Sequence, residues 1–173
     1  RSPLSERRLA NPDPFSAFLL SFNACRPTSR GWLSIAGPDP DLPPAIQPNY
    51  LSTDQDIADA ERGIALLRRI ATTAPLADII SGQLVPGSEV RSDAEWLEDF
   101  RQRADTVYHP TSTCMMGPDA ATAVVDHRLK VHGIDGLRIA DASIFPTLTS
   151  GNTNAPTVMV GEKAAAMILE DAL

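Results

Sequence analysis

Proline constrains this chain more than any other residue. Six of its 15 prolines fall within CRPTSRGWLSIAGPDPDLPPAIQPNYL, at positions 27, 38, 40, 43, 44 and 48. Each fixes φ and lacks an N–H, so it neither continues a helix nor donates to a sheet ladder. No long helix can cross this stretch. Short extended pieces at residues 31–35 and 46–51 must alternate with turns, which predicts antiparallel sheet with irregular loops. Upstream, residues 15–24 are rich in Phe and Leu and are expected to form a buried strand. Residues 1–14 are polar, hold Pro3, Pro12 and Pro14, and read as a linker or arm.

After Thr53 the pattern becomes helical. Ser52 or Thr53 can cap, Asp54 and Asp56 occupy the first turn, and Ile57, Ile64, Leu67, Ile70 and Ala71 recur at helical spacing as far as Thr73. A second helix is predicted over residues 92–104. Asp93, Ala94 and Glu95 lie in its first turn, with Trp96, Leu97 and Phe100 on one face. Between the helices, Pro86-Gly87 marks a turn. Farther on, residues 123–126, 129–131 and 137–139 are three short β-prone pieces among Gly133 and Gly136. A last helix is expected from Asn154 or Ala155 as cap, with Pro156 at the first helical position, to about Leu169. Val158, Val160, Ala164, Ala165 and Ile168 would supply its buried face.

Composition narrows the partners. With 173 residues, 43% hydrophobic and 21% charged, the chain is long enough for a globular fold with a sizeable core. A net charge of -7 disfavours nucleic acid and anionic membrane surfaces as partners. No apolar run approaches the ~20 residues of a membrane span. Two cysteines, Cys25 and Cys114, are too few for a disulfide framework, so a reducing compartment, the cytoplasm, is the default. The first residues show neither an initiator Met nor an apolar leader core, and the sequence reads as a fragment of something longer.

Three constellations could carry chemistry. The first is His109 in TVYHPTSTCMMG, where Pro110 pushes the histidine out of the α region. It is either a general acid or base, or a core histidine satisfied by a hydroxyl of Thr111, Ser112 or Thr113. The second is TSGNTNAPTVMVGEKAA, in which Ser150, Gly151, Asn152, Thr153 and Asn154 lead into a helix. The N–H groups of Thr157 and Val158 and the positive helix end would suit a phosphate, a carboxylate or the N1–O2 edge of a reduced flavin, unless this is an ordinary capped helix. The third is a metal site from His109, Cys114, His127 and His132. Its spacings match neither an i, i+4 pair nor a zinc knuckle, so no metal is expected. Met115 and Met116 read as core filling.

Taken together, TVYHPTSTCMMG, AVVDHRLKVHGIDGLRIADASIFP and GNTNAPTVMVGEKAA, in this order, resemble the C-terminal signature of the glucose-methanol-choline (GMC) flavoprotein oxidoreductases. SRGWLSIAGPDPDLPPAIQPNYLS is similar to the substrate-domain strand and loop of the same family. The likeness covers about residues 21–169. It implies an α/β fold with α+β character: an antiparallel substrate-binding sheet with helices over residues 15–105, then over 106–173 the C-terminal return into an FAD-binding Rossmann-like domain.

It also implies FAD as cofactor and oxidation of a small primary or aryl alcohol to the aldehyde, with hydride leaving for flavin N5. His109 falls at the position of the family's catalytic base, and Asn154 at a second active-site position held by His or Asn. Tyr108 would pack on the isoalloxazine or line the substrate pocket. Asp141 and Ala142 would lie against the ribityl-pyrophosphate region, and Asn154, Ala155, Pro156, Thr157 and Val158 along the flavin pyrimidine edge. The same fold hosts hydroxynitrile lyases that keep FAD without redox turnover, and a non-catalytic binding module is a further alternative. None of the ten glycines forms the GxGxxG dinucleotide fingerprint. The chain is therefore expected to need an N-terminal FAD-binding part, upstream or as a separate chain, to hold the cofactor.

Overall fold

A computed structural model describes residues 14–172. The expected arm at the N-terminus thus lies almost wholly outside the described residues. The rest divides into two compact units.

The first unit combines the described residues up to Ala24 with Leu51–Val107. Its helices are α1 (Asp54–Ala71), the short α2 (Leu76–Ile79) and α3 (Asp93–Arg103). Thr53 caps α1, accepting from the Asp56 N–H at 3.3 Å, and the predicted helix ends within two residues of the observed end. Ser92 and Glu95 close a full capping box at the start of α3. Ala60 and Ile64 of α1 and Leu97 of α3 are buried. Arg68 of α1 bonds Asp93 at 3.2 Å and lies 5.0 Å from the Trp96 ring centroid.

Residues 15–24 do not form the expected buried strand. They carry no strand assignment, and Phe15, Phe18 and Leu19 are exposed. Apolar content alone does not make a strand; backbone groups must also join a ladder, and this stretch has no strand or bridge assignment. Phe22 instead stacks on Phe100, centroids 5.3 Å apart, over Gly63, where a Cβ would come within 2.2 Å of the ring. The turn expected at Pro86-Gly87 instead centres on Ser88-Glu89, closed by Val90 N–H to Gly87 O at 3.2 Å.

The second unit combines Cys25–Tyr50 with the described residues from Tyr108 onward. Strands β1 (Trp32–Ser34) and β2 (Ala45–Gln47) pair antiparallel in the register Trp32 with Gln47, Leu33 with Ile46 and Ser34 with Ala45. This is the pair the proline pattern predicts, but β1 is shorter by one residue at each end, and β2 starts one residue earlier than expected and stops at Gln47 rather than Leu51. Gly31 lets the strands close: a Cβ there would sit 2.2 Å from the Gln47 carbonyl oxygen. The three β-prone pieces near residue 130 pair only as single bridges, Val125 with Val131 and Lys130 with Arg138, while Met116 bridges Val125 in parallel.

Helix α4 (Asn154–Asp171) completes this unit. It begins one to two residues before its expected start, with Thr153 as N-cap and Pro156 in third place rather than first. Proline is accommodated there because the first-turn N–H groups have no intrahelical acceptor. The buried face also differs from expectation. Val160 and Ala164 are buried and Met167 packs beside them, whereas Val158 and Ile168 are exposed. Spacings of four and three residues leave one narrow stripe, set against Val125, Leu129, Ile144 and Phe145. The architecture is thus mixed helix with a small antiparallel sheet. No helix among the described residues is long and apolar enough to cross a membrane.

Candidate active site

The site is built on the second unit from two segments anchored on its core. The segment following His109 is held along a 3₁₀ turn, Ala142–Ile144. Ser112, Cys114 and Met116 donate in alternation to the carbonyls of Ala142, Ser143 and Ile144 at 3.4, 3.0 and 2.8 Å. Tyr108 and Ser112, either side of the histidine, both adopt left-handed backbone, φ 60° and 71°. For non-glycine residues this is a conformation of order 1–3 kcal/mol, sustained by surrounding structure. Half-buried His109 is therefore carried on a sharply bent, anchored segment.

Facing it is the loop that enters α4. Arg26 donates through Nη2 and Nε to Ser150 Oγ at 2.9 and 3.2 Å, and Thr149 Oγ1 donates to Gly151 O at 3.2 Å. The buried N-cap Thr153 makes no side-chain cap; Asn152 does that work one residue earlier, its Oδ1 accepting the Asn154 N–H at 2.9 Å. The other end of the same amide, Nδ2, lies 3.2 Å from His109 Nε2. Thr111 and Ser112, two of the hydroxyls that could have satisfied the histidine, bond each other at 3.1 Å.

The residue beside His109 is thus Asn152. Asn154, exposed on the first turn of α4, meets the pair through its backbone N–H. Tyr108 is 77% exposed. Asp141 caps the 3₁₀ turn, accepting from Ser143 N–H at 2.7 Å. Hydrogen bonds from the Ser143 hydroxyl and then its backbone N–H hold that carboxyl below its ordinary range. Ala142 packs against the core.

The helix start is less open than the sequence suggests. Thr157 N–H is bonded to Thr153 O at 3.0 Å, Asn154 N–H is taken by Asn152, and Pro156 has none. Ala155 N–H has no acceptor among the described residues, so it is the donor left at the positive end of an 18-residue helix. One N–H on a helix dipole suits a single electronegative ring edge better than a phosphate, which takes several. The donor set therefore fits the pyrimidine edge of a flavin. Among the described residues no three His, Cys, Asp or Glu gather as metal ligands, and His132 Nε2 is bonded to Gly117 O at 3.0 Å.

Sequence reasoning named Asn152 only within the loop entering the helix, with no role beside His109, and passed over Arg26. The signal for Asn152 was present as a pair of asparagines bracketing one threonine, but spacing does not tell which of the two meets the histidine. Arg26 lies 124 residues from Ser150 and left no local signal.

The family described as GMC oxidoreductase matches residues 27–161. Among curated proteins, human mitochondrial choline dehydrogenase is 45% identical over 158 residues, covering 91% of this chain and 27% of that protein. An alcohol dehydrogenase (acceptor) from Pseudomonas putida is 46% identical over 143 residues, covering 83% and 26%. Among solved structures, pyridoxine 4-oxidase from Mesorbium loti matches with a TM-score of 0.76 at 36% identity, over 82% of this chain and 28% of that one. The chain spans about a quarter of the length of the curated relatives it matches.

Proposed function

Because the chain belongs to the GMC oxidoreductase family, we propose that it is the C-terminal portion of an FAD-dependent enzyme oxidising a primary or aryl alcohol to its aldehyde. Homologues in the family carry FAD. The observation that carries the proposal is the pair of His109 Nε2 and Asn152 Nδ2, 3.2 Å apart. One atom can accept a proton and the other donates a hydrogen bond. A hydroxyl group both donates and accepts, so it can complement the two at once; an ether oxygen, which only accepts, cannot.

In this reading His109 takes the hydroxyl proton, and the electron density left on oxygen expels the carbinol hydrogen with its electron pair. Asn152 steadies the developing negative oxygen with its amide N–H. Asparagine is no proton base, which leaves His109 as the base of the pair. Asn154 keeps the second position of the family pattern through its backbone, by holding Asn152. When bound, FAD supplies the hydride acceptor, N5 of its ring system. Ala155 N–H and the α4 dipole would hold the pyrimidine edge, with Pro156, Thr157 and Val158 along it. Asp141 and Ala142 would face the ribityl-pyrophosphate region, and Tyr108 the ring or the substrate pocket. Residues 106–173 would be the C-terminal part of the Rossmann-like FAD-binding domain, completed by an N-terminal part, upstream or separate, that brings the dinucleotide grip. The antiparallel sheet would belong to the substrate side.

The experiment is anaerobic mixing of the complete protein with benzyl alcohol and, separately, choline. Bleaching of the oxidised flavin band by either is expected. A flavin that stays oxidised with both and with a wider series of primary and aryl alcohols would overturn the proposal, and is what a lyase or a binding module would give.

A further inference from the structure

The two hydrogen bonds of Asn152 determine more than its position. A backbone N–H only donates, so the atom of Asn152 facing Asn154 N–H at 2.9 Å must be the amide oxygen. The amide NH₂ is then the end turned to His109 Nε2 at 3.2 Å. An amide NH₂ also only donates, so Nε2 must offer it a lone pair. We infer that the relay from Asn154 N–H through the Asn152 amide holds His109 as the neutral tautomer with its proton on Nδ1 and its lone pair on Nε2. The catalytic meaning of this rests on the function proposed above; the tautomer itself does not.

The consequence is a base poised in the right form before substrate arrives. The opposite tautomer would set an N–H of the ring against an N–H of the amide, two donors face to face. Rotating the amide by half a turn would relieve that clash only by turning its NH₂ onto the Asn154 N–H. The start of an 18-residue helix thus sets, through Asn152, the protonation pattern of a histidine 43 residues from that asparagine in sequence. Asn154 is in this sense a positioning residue, through its backbone alone. An entering hydroxyl would replace the Asn152–His109 bond with two, accepting from Nδ2 and donating to Nε2, with no tautomer change required.

The test is ¹⁵N spectroscopy of the complete flavin-containing protein, labelled at histidine, without substrate and above the range where histidine protonates. His109 signals are identified by their loss in His109→Gln. The wild-type protein is expected to show protonated-type Nδ1 and unprotonated-type Nε2, and Asn154→Ala, which keeps the backbone N–H, the same pattern. Asn152→Asp places an acceptor against Nε2 and is expected to move that nitrogen to the protonated type. A wild-type Nε2 carrying the proton overturns the inference without recourse to any variant, as does an Asn152→Asp protein whose Nε2 remains unprotonated. A normal flavin-reduction rate in a protein lacking His109 would instead overturn the proposed function while leaving the tautomer result intact.

Discussion

Asn152 and Asn154 stand two residues apart, and their side chains are assigned different work. Asn152→Ala in the complete protein removes the donor beside His109, a loss of about 1–3 kcal/mol, and should slow anaerobic flavin reduction roughly 10- to 100-fold. Asn154→Ala keeps the N–H that Asn152 uses and should stay within about threefold of wild type, since its exposed amide is not part of the relay. Equal effects of the two would contradict the geometry. At this scale the sequence was only half legible. His109 stood out by chemistry and by its place in a family motif. The choice between two nearby asparagines, and the bracing of Ser150 by Arg26, depend on distances that chain spacing does not encode.

Helices α1 and α3 were the most legible elements, because caps and apolar spacing are local signals. Ser92 and Glu95 exchange bonds as their spacing predicts, Ser92 N–H reaching Glu95 Oε2 at 2.8 Å. Ser92→Ala should lower stability by about 1 kcal/mol in denaturant unfolding. At the far end of α4, Asp171 gathers Lys130 at 2.6 Å, Arg128 at 2.8 Å and Arg138. Chiefly through the Lys130 bond, and then the charge of Arg128, its pKa falls to about 2. A depressed carboxylate stabilises the fold above its unfolded pKa of ~4, and the contribution fades as pH falls from there toward about 2. Thermal unfolding measured between those pH values should therefore lose stability more steeply in wild type than in Asp171→Asn. Parallel acid profiles would show that the cluster contributes nothing. The misread element, residues 15–24, shows the limit of hydrophobicity alone: it says that a residue seeks cover, not in which conformation. Phe22 finds cover on Phe100 without a strand.

For the whole molecule, Trp32, Leu33 and Ile46 on the two-stranded sheet remain exposed, and the chain spans about a quarter of its relatives' length. Large apolar side chains on a bare sheet are characteristic of surfaces that other protein covers. In the proposed enzyme the rest of the protein supplies that cover and the dinucleotide grip, so the 173-residue chain purified alone should bind a hydrophobic dye and carry no stoichiometric flavin absorption. A yellow, fully loaded preparation would contradict this. The central claim is that His109 is the base for alcohol oxidation. It is tested most directly by anaerobic stopped-flow reduction of the flavin in the complete protein carrying His109→Ala. A fall of roughly 100-fold or more against wild type is predicted, the usual scale for a positioned base; an unchanged rate would contradict the account.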